Sequence, residues 1–111
     1  MMNSTNELPA LLGFPSAESD CNYELLIYNY QWAVYTLLRS SCKDAMKIYK
    51  AGNPELSLRA FRFILEESGK LFHSIDNVDG GLECMTALLI SDIKIAISEC
   101  EKSMRNHHAS D

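Results

Sequence analysis

Basic residues are scarce in this chain. Ten Lys and Arg stand against fifteen Asp and Glu in 111 residues, a formal net charge of −5. That deficit excludes the electrostatic footprint of non-specific binding to nucleic acid or to an anionic lipid surface, both of which are negative themselves. Residues 1–15 contain no Lys or Arg at all, so the positive region that opens a secretory signal is missing, and Pro9 and Gly13 break the apolar stretch there. No hydrophobic run reaches bilayer length. The longest, at 25–38, is too short to span and carries interior amides. These absences predict a soluble, cytoplasmic protein that meets neither membrane nor nucleic acid directly.

Chemistry-bearing patterns are also missing. The four cysteines, Cys21, Cys42, Cys84 and Cys100, form no Cys-x-x-Cys pair and have no His at ligand spacing, which predicts buried free thiols and no metal site. Gly80-Gly81 is an isolated pair with no following Lys-Ser or Lys-Thr, so no phosphate loop is present. His73 lies three residues before Asp76 on one side of a helix, the spacing of a base and its orienting carboxylate, but no nucleophile is placed near them. His107-His108 sits in the tail. The acidic pairs Glu66-Glu67 and Glu99/Glu101 project to different faces and read as solvated surface. Arg59, Arg62 and Lys70 alternate with Glu55 and Glu66, a self-paired helix face rather than a phosphate-reading strip. Without a convergent polar site, the sequence predicts no enzyme activity and no cofactor.

What the chain has in abundance is local. Leu25 to Leu38 reads Leu-Leu-Ile-Tyr-Asn-Tyr-Gln-Trp-Ala-Val-Tyr-Thr-Leu-Leu, and half of the ten aromatic residues fall between Tyr23 and Tyr35. A helix that is apolar all round needs cover on nearly every side.

With 111 residues the chain is one domain with a modest core. Residues 1–15 read as an apolar arm whose Leu8, Leu11, Leu12 and Phe14 are interrupted by Pro9, Gly13 and Pro15; it lies across its own core or crosses to a neighbour. Residues 16–106 form the helical domain, and 107–111 a fraying tail without an apolar anchor. Ser16 caps a first helix from about Ala17 to Lys50, with Gly52 as its stop. Asn53-Pro54-Glu55 restarts the chain as N-cap, first helical residue and first-turn acid, giving a second helix to about Ile75. Its stripe is Leu58, Phe61, Leu65 and Phe72, flanked by Leu56, Ile64, Leu71 and Ile75. A turn cluster at 77–81, with Asp79 as a capping residue, precedes a third helix from about Leu82 to Met104. Leu82, Met85, Leu89, Ile93, Ala96, Cys100 and Met104 form its stripe, widened by Leu88, Ile90, Ile95 and Ile97.

The expected fold is therefore all-α, a three-helix up-down-up bundle with a long first helix. Helices 2 and 3 can cover that helix on two sides and not on a third. Tyr28, Trp32, Tyr35 and Cys42 suit the protein's own core. Leu26, Tyr30, Ala33 and Leu37, with Tyr23, Ile27 and Val34 beside them, form a second apolar face. It predicts a protein-binding or dimer interface, buried by a twofold mate or by another protein's helices.

The stretch Gly81-Leu82-Glu83-Cys84-Met85-Thr86-Ala87-Leu88-Leu89, continuing into Ile93 and Ala96, resembles small helical regulatory proteins of proteobacteria, among them the QslA-type quorum-sensing anti-activators. The resemblance spans the three helices and rests on pattern and length, without a diagnostic motif. It implies a bacterial regulator that binds the ligand-binding domain of a LuxR-type receptor and blocks its dimerisation and DNA binding. Two competing readings suit a small, acidic, helical chain. One is a secretion chaperone or co-chaperone holding an apolar helical segment of an export substrate; the other is a subunit of a larger helical assembly.

Overall fold

The structure, a computed structural model, describes residues 20–75 and 80–109, with side chains placed over 23–75 and 80–106. It contains three helices: α1 (Asp20–Lys50), α2 (Pro54–Ser74) and α3 (Gly80–Ala109). The all-α three-helix bundle expected from the sequence is what forms. Ser16 and the expected start at Ala17 lie outside the described residues, as do the arm at 1–15, Asp76 and the proposed cap Asp79. The third helix begins at Gly80 rather than Leu82 and runs to Ala109 rather than Met104. No Pro or Gly interrupts it after Met104, so adding each further residue to an existing helix costs little.

The α1–α2 turn follows from three residues. Gly52 takes φ +95°, a conformation that costs an L side chain and suits glycine. Its N–H donates to Tyr49 O at 3.0 Å, and the N–H of Asn53 donates to Ile48 O at 3.2 Å, the paired bonds of a Schellman cap. Asn53 then turns the chain into α2. Its Oδ1 accepts from the Leu56 N–H at 3.2 Å, and Pro54 supplies a fixed φ where a helix needs no N–H donor. One glycine and one asparagine thus end one helix and start the next within four residues.

The chain divides into two units, 1–32 and 33–111, with α1 running through the boundary. In the second unit the core draws on all three helices: Tyr35, Leu38 and Ala45 of α1, Leu58, Phe61, Ile64 and Leu71 of α2, and Leu82, Leu89, Ile93 and Cys100 of α3 are buried. The α3 positions are those the sequence stripe named, with Met85, Ala96 and Met104 half-buried along it. On α2 the expected face is buried in part. Leu58 and Phe61 of the stripe and Ile64, Leu71 and Ile75 of its flanks are buried, Leu65 and Phe72 are half-buried, and Leu56 is exposed.

Two serines join that buried face. Ser57 and Ser68 are fully buried, and small side chains let neighbouring helices approach more closely than leucine would. Ser57 Oγ donates to Ala45 O at 2.8 Å, and Cys100 Sγ donates to Ser57 Oγ at 3.6 Å. One small residue from each helix meets at this point. Thr86, also fully buried, satisfies its hydroxyl locally by donating to Leu82 O at 2.8 Å. Ser68 Oγ is buried and has no partner among the described residues.

Surface charge completes the packing differently from the expectation. Arg62 does not pair along its own helix; it crosses to Glu101 of α3 at 3.0 Å. Lys70 bonds Glu67 at 3.1 Å. Both pairs are largely exposed and contribute little net stability.

The two buried serines should respond oppositely to truncation. Ser57→Ala removes both hydrogen bonds and should cost about 1 kcal/mol, whereas Ser68→Ala removes an unpaired hydroxyl and should be neutral or stabilising by up to about 1 kcal/mol. Urea unfolding of the two variants beside the parent checks this, and equal destabilisation would contradict it. Gly52→Ala meets no steric neighbour; its cost should be the backbone term alone, about 1 kcal/mol, read as a lower urea midpoint with unchanged slope.

Candidate functional site

The unit 1–32 contributes the described part of α1 from Asp20 to Trp32. Every residue from Tyr23 to Tyr30 is exposed, more than two helical turns in succession. Tyr23 is 66% and Tyr30 65% exposed, and Leu25, Leu26, Ile27 and Tyr28 are exposed as well. Glu24 is the single charged residue from Tyr23 to Leu38. Helix hydrogen bonding satisfies the backbone here, so what the segment offers to its surroundings is apolar side-chain area with phenol hydroxyls at its edges.

The seven residues expected at an interface fall on both sides of the unit boundary. Tyr23, Leu26, Ile27 and Tyr30 are exposed in the first unit; in the second, Ala33 and Leu37 are exposed and Val34 is half-buried. The core-facing set behaves less uniformly than expected. Tyr35 is buried, Trp32 and Cys42 are half-buried, and Tyr28 is 42% exposed. Tyr28 instead packs edge-on against Trp32 one turn later, their ring centroids 6.3 Å apart at 70°.

Within the second unit a cleft of about 340 Å³ lies between α1 and α3, over the Phe61 ring of α2. Met46 and Tyr49 form its α1 wall, and Asp92, Ile95 and Glu99 its α3 wall. Among the described residues no Lys, Arg or His lines it. Sequence reasoning missed it because the acidic residues of α3 were counted as solvated surface, and Ile95, 60% exposed, was counted toward the core.

His73 is exposed, its ring 5.8 Å from that of Phe72 at 76°. Glu67 and Glu101 are engaged by Lys70 and Arg62, and Lys102 lies 3.8 Å from Glu99. The side chains of His107 and His108 lie outside the described residues. Among the described residues no group of three or more His, Cys, Asp or Glu is placed to hold a metal ion, and no helix is long and apolar enough to cross a membrane.

The three cysteines with described side chains are free and graded in exposure. Cys100 is buried, as expected, and Cys42 half-buried. Cys84 departs from the expectation and is exposed, because two residues after the buried Leu82 a helix has turned about 200°. Burial pushes the Cys42 thiol up from its ordinary value, and the Asp92 carboxylate adds to the shift. Cys42 therefore stays protonated at neutral pH, the opposite of an activated nucleophile. Comparison with protein-family models, with curated proteins and with solved structures yields no match to this chain.

This gradient predicts an order of thiol modification. In a Cys21→Ser background at neutral pH, a maleimide should label Cys84 first, Cys42 roughly tenfold more slowly or worse, and Cys100 only on unfolding. Raising the pH toward the elevated value of Cys42 should narrow its lag behind Cys84. Peptide mapping after timed quenching reads the order, and early labelling of Cys100 would contradict the packing described.

Proposed function

We propose that this protein is a non-enzymatic regulator that acts by stoichiometric protein–protein binding through the apolar run of α1. The observation that carries the reading is the uninterrupted exposure of Tyr23 to Tyr30, in a stretch with one charged residue. Exposed apolar patches beyond ordinary size mark interaction sites, and tyrosine is among the residues enriched at binding hot spots. Leu37, 66% exposed, is a further apolar position on the same helix.

The mechanism follows from what such a surface can do. A binding protein changes a target's behaviour by occupying area that the target needs. Binding a surface used for self-association removes the target's own dimer by mass action. The resemblance of the α3 stretch from Gly81 to Leu89 supplies the finer reading: an anti-activator whose target is the ligand-binding domain of a LuxR-type receptor, its dimerisation and DNA binding blocked together. In the absence of that target, a second copy of this chain is the natural occupant of the same face, since a surface almost free of charge does not repel itself.

Tyr30→Glu and Leu37→Glu test the reading. Each should weaken self-association or target binding by about 2 kcal/mol, roughly thirtyfold, while the helical signal in circular dichroism stays at the parent level. Sedimentation with and without a dimeric receptor domain provides the measurement. Target dimerisation that persists at saturating protein would overturn the anti-activator mechanism. Loss of helicity in both variants would show that these positions serve the protein's own core.

A further inference from the structure

The exposed side of α3 carries a second pattern. Leu88, Asp92, Ile95 and Glu99 follow one another at steps of four, three and four, which keeps them on one line of the helix. All four are exposed, Leu88 at 61% and Ile95 at 60%. Apolar and acidic residues alternate along this line. Asp92, Ile95 and Glu99 also form one wall of the cleft against Met46 and Tyr49, so the ridge borders an apolar trough.

We infer that this ridge and cleft are a docking groove for a basic amphipathic helix of a partner protein. The groove's charge selects the occupant. Asp92 and Glu99 are seven residues apart, two helical turns, and among the described residues no Lys, Arg or His lines the cleft. Lys102 lies 3.8 Å from Glu99 in an exposed pair that a stronger partner can displace. A partner helix with Lys or Arg at heptad spacing meets both carboxylates, and its apolar residues three and four apart cover Leu88 and Ile95 and enter the trough over Phe61.

Length argues for a helix over a small ligand. The line from Leu88 to Glu99 extends about 16 Å, and a molecule filling the cleft alone leaves Leu88 uncovered. A helix of about three turns laid along α3 covers the whole line. All these residues belong to the unit 33–111, so the inference does not depend on the role given to Tyr23–Tyr30.

The experiment uses the full chain and a labelled helical peptide with Leu at the i, i+3, i+4, i+7 repeat and Lys every seventh residue. A second peptide carries Glu at the Lys positions. Fluorescence anisotropy reads affinity, and amide chemical-shift changes map the contact. The Lys peptide should bind at least about tenfold tighter than the Glu peptide, lose affinity as salt rises, and shift residues around Met46, Tyr49 and 88–99. D92K/E99K should weaken binding by about tenfold or more. The isosteric D92N/E99Q should weaken it in the same direction with an unaltered circular dichroism spectrum, which separates lost docking from lost folding. Equal affinity for the two peptides would overturn the inference, as would indifference to both double variants or shifts confined to Tyr23–Tyr30.

Discussion

Three small residues, one per helix, set the geometry from which the rest follows. Ala45, Ser57 and Cys100 are each essentially inaccessible, and a hydroxyl joins them by giving its proton to the α1 carbonyl and accepting from the α3 thiol. A leucine at any of these positions would force the helices apart, since a packed interior has no slack for three extra carbons. The same side of α2 that carries Ser57 carries the buried Ile64, while Leu65 is half-buried and Leu56 and Phe63 are on the surface. The hydrogen bonds themselves contribute little net energy; their larger effect is that the buried hydroxyl is satisfied in one arrangement and not in others.

Much of this was legible in the sequence. The turn at Gly52-Asn53-Pro54 needed no tertiary information, because a left-handed glycine and an Asx cap are set by the identity of the residues alone. The α3 stripe was legible because its apolar residues keep helical steps for six turns. The α2 face was legible in part: Leu58, Phe61, Ile64, Leu71 and Ile75 are buried where their spacing puts them, while Ser57 and Ser68 are the members that spacing missed. A pattern read as apolar against polar assigns serine to the surface, although its volume makes it the residue that two closely packed helices accept. The only signal was their spacing of eleven, three helical turns, which puts both serines on the side that also carries Ile64 and Ile75. The same arithmetic hid the α3 ridge: Leu88 and Ile95 were counted as core because they are apolar, when their register with Asp92 and Glu99 places them outside.

The exposed apolar residues of α1 are a different case. Their apolar character is legible in the sequence, and their exposure follows from the fold. Exposure separates Leu37, at 66%, from Leu38, at 6%, although the two are neighbours of identical chemistry. The expected second face included Leu37, whereas Leu38, three residues after Tyr35, joins a core line that the expectation gave only as Tyr28, Trp32, Tyr35 and Cys42. Tyr28 is where periodicity failed. It continues the core line backward from Tyr35 by seven residues, yet a stripe is buried only where something packs on it.

Helix continuity explains how such an apolar run can stand exposed at all. An isolated helix of a dozen residues is marginal in water, because nucleation is costly and side-chain burial is what normally offsets it. Residues 20–32 are spared nucleation by being the upstream extension of a helix whose other end is capped at Gly52 and buried along Tyr35, Leu38 and Ala45. Each added residue then needs only to break even on propagation, which leucine achieves and tyrosine and isoleucine nearly do. Apolar side chains cost no more exposed in the helix than in the unfolded chain, so the folded state has no reason to melt the segment. The cost falls on the solution instead, as a surface with a persistent drive to be covered, and its single charge at Glu24 leaves that drive almost insensitive to salt. The α3 ridge is opposite in kind: acids at every second turn make any association there selective for charge. The exposed run of α1 is apolar with one charge, whereas the α3 ridge alternates apolar and acidic residues, so a chemistry complementary to one is poorly complementary to the other.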